Sequence, residues 1–119
     1  MKTCQSADAK NGVMQFTDVK ISNGIHNTDS IKTSGTFTCE NPGLYLISVF
    51  IQINTNHGYY DVHNNTVPIA RGVSSLTDFY ETTSVTVIEL LTVNDTISVT
   101  GNMYVYSDFE SCLTILQIK

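Results

Sequence analysis

Apolar and β-branched residues fall into short runs, with Gly, Asn, Asp or Pro at nearly every break. The runs are VMQFTDVKI (13–21), GTFTC (35–39), GLYLISVFIQIN (43–54), YYDVH (59–63), VPIAR (67–71), SVTVIELL (84–91), TISVTGNMYVY (96–106) and CLTILQI (112–118). Each run predicts a strand, because residues branched at Cβ fit a pleated surface and the breaks supply turn chemistry. No window carries apolar residues at the helical spacing between capping residues, so helix is limited to a short turn. Eight or more short strands in 119 residues predict one all-β domain, a sandwich or jelly roll.

The faces of these strands differ. Side chains alternate across a strand, so one buried face leaves the other polar. TISVTGNMYV obeys this rule, with Ile97, Val99, Met103 and Val105 on one face and Thr96, Ser98, Thr100 and Asn102 on the other. GLYLISVFIQIN does not: Tyr45, Ile47, Val49, Ile51 and Ile53 suit a core, yet the opposite face still carries Leu44, Leu46 and Phe50. Leu113 and Ile115 are likewise backed by Leu116 and Ile118, and Val85 and Val87 by Ile88 and Leu90. A sheet that is apolar on both faces needs a cover, and the economical cover is another copy of the chain.

Charge narrows the partners. The formal net charge is −5, and the six Lys and Arg are spread singly, so no basic patch exists to neutralise a run of phosphates and no nucleic acid is expected. No apolar run is long enough for a membrane helix, and the opening MKTCQSADAKNG lacks an apolar signal region. The expectation is therefore a chain that neither spans a membrane nor begins with an intact signal peptide, which is compatible with a mature secreted form restarted at Met1. Cys4, Cys39 and Cys112 allow one disulfide with a thiol left over, or none, and their spacing matches no zinc or redox motif. Two acceptor sequons, at Asn64 and Asn94, lean towards secretion.

The order Asn23-Gly24, GTFTCENPGLYLIS, LLTVNDTISV and FESCLTI resembles the globular head of the complement C1q family, related in fold to tumour necrosis factor. Gly35, Phe37, Thr38, Cys39, Pro42, Gly43 and Tyr45 match its first block, Leu91, Asp95 and Ile97 the second, and Phe109 and Ser111 the third. The resemblance spans residues 13–119 and sets 1–12 apart as an N-terminal extension. Asn94 stands where the family loop usually has Gly, Ser111-Cys112 where it usually has Gly-Phe, and no Gly-X-Y stalk occurs in the sequence, which argues against a complement-initiating role. The resemblance implies a two-sheet jelly roll of about ten antiparallel strands, assembled as a homotrimer through one sheet. Leu46, Phe50, Leu116 and Ile118 would then lie at the interface. It leaves Cys39 as a buried thiol or as a partner of Cys112, with Cys4 ahead of the domain and placed to link chains.

Candidate chemistry is sparse. His26, His57 and His63 stand beside no Ser or Cys in a hydrolase arrangement, so no enzyme is expected. In HGYYDVH the residues His57, Tyr59, Asp61 and His63 share a strand face, but the two histidines lie about 20 Å apart at roughly 3.3 Å per residue, too far to share one metal ion. Some heads of this family hold calcium, and NTDS, DFE and Asn94-Asp95 offer oxygens; none has loop-motif spacing, so no ligand and no cofactor is assigned. Aromatic rings beside hydrogen-bonding groups suit sugars, which makes Tyr59, Tyr60, Tyr104 and Tyr106 the candidate ligand contacts. The expected function, implied by the resemblance, is that of a secreted, extracellular C1q-domain protein binding glycans or microbial surface patterns in innate immunity. The alternative is an extracellular signalling or matrix component that binds a protein receptor.

Overall fold

The computed structural model describes residues 1–5, 7–10, 12–22, 25, 28–53, 58–73, 81–102 and 111–119, with side chains for all of these except 7–10, 53, 81 and 102. Two antiparallel sheets face each other. The first has the order β4 (Asp18–Ile21), β1 (Lys2–Cys4), β11 (Cys112–Gln117), β6 (Gly43–Ile53), β9 (Glu81–Leu91). The second has the order β2 (Ala7–Lys10), β3 (Val13–Gln15), β10 (Thr96–Asn102), β7 (Tyr59–Asn64), β8 (Val67–Val73), with β5 (Phe37–Thr38) also paired to β10. Neighbours within each sheet are mostly distant in sequence, as in a jelly roll, and the all-β sandwich read from the strand pattern is the fold found.

The core lies between the sheets. From the first come Tyr45, Ile47, Val49 and Ile51 of β6 with Leu113 and Ile115 of β11; from the second come Tyr60, Val62, Ile97 and Val99, all essentially without solvent contact. Met1, Met14, Phe16, Ile31, Phe37, Cys39 and Leu91 complete the cluster. The alternation in TISVTGNMYV is found as expected over Thr96–Thr100, while Met103 and Val105 lie outside the described residues.

Two turns show how local chemistry serves this packing. The Asn-Pro-Gly corner carries the chain from β5 in the second sheet to β6 in the first. It is closed by the Tyr45 hydroxyl, which donates to the Asn41 carbonyl at 2.6 Å. Burial, then contact with the Cys39 thiol, pushes the Tyr45 phenol up to about 12. A helix, α1 (Asp29–Ser34), supplies Ile31 to the core and ends at Gly35, whose φ of 75° and N–H bond to Ile31 form a left-handed cap. A side chain at Gly35 would also meet the Met14 carbonyl oxygen at 2.6 Å, so glycine is required there twice over.

The structure changes three expectations. VMQFTDVKI is not one strand: β3 and β4 belong to different sheets, and Phe16 is buried where the chain crosses between them. Residues 1–12 are not an appendage, because β1 lies between β11 and β4 and β2 pairs with β3. Cys4 therefore lies within a sheet, directly opposite Cys112, and these two form the disulfide; Cys39 is the buried free thiol. Neither Cys39–Cys112 pairing nor a chain-linking Cys4 survives. β5 lies in the sheet opposite β11, so Cys39 never comes beside Cys112.

Candidate functional site

Two outer faces of the sandwich carry the candidate chemistry. The outer face of the first sheet is apolar at one end. Register places Leu44 opposite Leu90, and Leu46 opposite both Ile88 and Leu116; the Ile118 amide bonds the Leu44 carbonyl. Two cross-strand rows of aliphatic residues thus run side by side over β9, β6 and β11. Leu90 is 69% exposed, Ile88 54% and Leu116 47%. The next row is polar, with the Ser48 and Thr86 hydroxyls bonded at 3.0 Å. Phe50 follows, half-buried and opposite Cys112, whose disulfide lies on this same outer face. Leu46, Phe50, Leu116 and Ile118 therefore share one face, as the alternation predicted, and Ile88 and Leu90 extend it.

The outer face of the second sheet is more polar, although β8 also exposes Val67 and Val73. On β7, Tyr59, Asp61 and His63 point outward, and β8 sets Arg71 directly opposite Asp61. The guanidinium forks onto the carboxylate, with Nε–Oδ1 at 2.6 Å and Nη2–Oδ2 at 2.9 Å, and its Cζ sits 4.7 Å from the centroid of the Tyr59 ring. The Arg71 hydrogen bonds hold the Asp61 carboxyl below the ordinary value against the opposing effect of partial burial. Thr100 of β10 lies opposite Asp61 on the other side, and its hydroxyl meets His63 Nδ1 at 3.4 Å. Alternation in YYDVH foretold the shared face. Arg71 was missed, because its distance from Asp61 in sequence gives no hint of the register that pairs them.

Tyr60 is a correction. It points inward, wholly buried, beneath Gly72, and its hydroxyl accepts a 2.9 Å bond from Thr83 of β9. Burial raises its phenol above the ordinary value. Adjacent tyrosines on a strand must face opposite ways, so only Tyr59 of this pair presents a ring to solvent. Tyr104, Tyr106, His26 and His57 lie outside the described residues.

The sequons also differ. Asn64 continues the inward face of Tyr60 and Val62, and its amide nitrogen reaches Glu89 Oε2 across the sandwich at 3.4 Å, so a glycan there would have to displace that contact. Asn94 is exposed in the turn between β9 and β10, at φ 73°. Next to it, Asp95 accepts bonds from the Thr92 amide, the Thr92 hydroxyl and the Asn65 amide, which hold its carboxyl below the ordinary value. These oxygens are spent on the turn, and among the described residues no group of His, Cys, Asp or Glu is placed to hold a metal ion.

A scan of protein-family models finds no match to the chain, and curated protein sequences give none. Solved structures do. The chain is similar to the globular domain of zebrafish complement 1qA protein, with a TM-score of 0.76 at 15% identity over 99% of this chain and 95% of that one. It is also similar to murine APRIL at pH 5.0, with a TM-score of 0.66 at 11% identity over 98% and 97% of the two chains. The fold is thus that of C1q and tumour necrosis factor-like domains, as the resemblance of GTFTCENPGLY implied.

Proposed function

We propose that the chain is the recognition head of a secreted homotrimer that binds glycans or microbial surface patterns in innate defence, a binding rather than a catalytic protein. The observation that carries the assembly is the aliphatic patch formed by Leu44, Leu90, Leu46, Ile88, Leu116 and Ile118 on an outer sheet face. Fully burying a Leu or Ile side chain contributes roughly 1.5–3 kcal/mol. Completing the burial of the half-exposed members would therefore contribute on the order of 1 kcal/mol each per protomer. The disulfide between directly opposed Cys4 and Cys112 fits an oxidising, extracellular compartment. Among the described residues no helix is long and apolar enough to cross a membrane. Trimerisation would present three copies of each surface site, so avidity raises the effect of single contacts of low affinity.

Size-exclusion chromatography with light scattering tests the assembly. The expected mass is about three times that of one chain, unchanged by reductant, because register places the disulfide within a protomer. A monomer at all concentrations overturns the reading. Sugar-inhibitable binding to microbial cells supports the glycan ligand, whereas saturable binding to one protein without sugar competition assigns the chain to signalling or matrix instead.

A further inference from the structure

Within that reading, we infer that the outer face of the second sheet, centred on the Arg71–Asp61 pair, is the binding site, and that its ligand is a neutral pyranose with adjacent hydroxyl groups rather than an acidic or sulfated glycan. A surface arginine is ordinarily free to sample many rotamers. Arg71, though 59% exposed, is fixed from two sides, by the Asp61 fork and by the Tyr59 ring. Little freedom is left to lose on binding, which is the condition under which exposed polar groups contribute affinity.

The hydrogen-bonding inventory matches a diol. A guanidinium has five N–H donors; two go to Asp61, leaving three directed away from it. The Asp61 oxygens keep acceptor capacity beyond the two bonds they receive. Donors and acceptors thus lie side by side in one plane, so one sugar hydroxyl can accept from Arg71 while its neighbour donates to Asp61. Thr100 adds a hydroxyl one strand away on β10, and His63 an imidazole two residues along β7, both on the same face.

Charge decides the class of glycan. Arg71 and Asp61 cancel, so the pair has no net charge to attract an anion, and the chain as a whole carries −5. Sulfated or sialylated chains would meet a repulsive field, while neutral sugars are indifferent to it.

The test uses the full chain immobilised at low density, with yeast mannan as the neutral probe and heparin as the sulfated one. It compares wild type with Arg71→Gln and Asp61→Asn, with thermal unfolding of each as a check. The expected result is mannan binding that falls tenfold or more in both variants at nearly unchanged melting temperature, with heparin not bound. Titration with methyl α-D-mannopyranoside should also shift the Arg71 Nε–H resonance in nuclear magnetic resonance spectra. Mannan binding that both variants retain overturns the site but leaves the recognition reading standing. Heparin preferred over mannan overturns the ligand class. A trimer that binds neither probe, and shows no resonance shift, overturns the inference while the assembly holds. Should Arg71→Gln fail to fold, Asp61→Asn and the resonance titration decide.

Discussion

Replacing Gly72 with alanine tests how the two sheets are locked at the β8 and β9 edge. A Cβ at this position would lie 2.3 Å from Tyr60 Cζ and 2.4 Å from Cε1 and Oη. Carbon atoms in ordinary contact sit about 3.5–4.0 Å apart, so more than an ångström of movement must be found. The ring cannot supply it freely, being wholly buried and tied through its hydroxyl to Thr83. Overpacking of this kind costs roughly 1–3 kcal/mol, and losing the Thr83 bond adds about 1 kcal/mol. The expected loss is roughly 2–4 kcal/mol, a large share of the 5–15 kcal/mol typical of a domain. Urea unfolding of four proteins measures it: wild type, Gly72→Ala, Tyr60→Leu and the double variant. Leucine lacks every atom that the new methyl would strike, so on the Tyr60→Leu background Gly72→Ala should be neutral or slightly stabilising, through reduced freedom of the unfolded chain. If Gly72→Ala costs less than about 0.5 kcal/mol on the wild-type background, β8 does not rest on Tyr60 and the packing argument fails.

Further outcomes follow from the same geometry. Leu90→Glu paired with Ile88→Glu places two charges in the aliphatic patch; light scattering should show the proposed trimer reduced to monomer with the circular dichroism of the fold retained. Cys4→Ser should cost about 2–5 kcal/mol, read as a lower urea midpoint, and thiol titration of the unreduced wild-type protein in denaturant should find one reactive group, Cys39. Asp61 and Asp95 both have folded values below the ordinary 3.8. Their contribution is therefore present above about that pH and lost as pH falls through the folded values. Melting temperatures recorded down that acid range should fall less steeply in Asp61→Asn and Asp95→Asn than in wild type. Secretory expression should add a glycan at Asn94 and none at Asn64, as peptide mass mapping would show.

Alternation and turn residues by themselves determined the all-β class, the strands from β6 to β11 and the double-sided apolar character of the first sheet. These properties are periodic along a single strand, so they can be read without knowing what pairs with what. The same periodicity placed Tyr59, Asp61 and His63 on one face. It also contained the error at Tyr60, since neighbouring tyrosines must point to opposite sides and one of them had to be core. Residues 1–12 escaped because KTC and ADAK carry no alternation strong enough to mark a strand; only pairing with β11, β4 and β3 makes them one. The disulfide was hidden for a related reason, since Cys4 and Cys112 stand 108 residues apart and are brought together solely by strand order. Arg71 reached Asp61 by way of a hairpin register with a bulge between Val62 and His63, which no local pattern specifies. The sequence thus determined which side chains share a strand face, because a face is a local property of the chain. Tertiary structure decided which faces meet and which remain open, because register and strand order are set by packing across the whole sandwich.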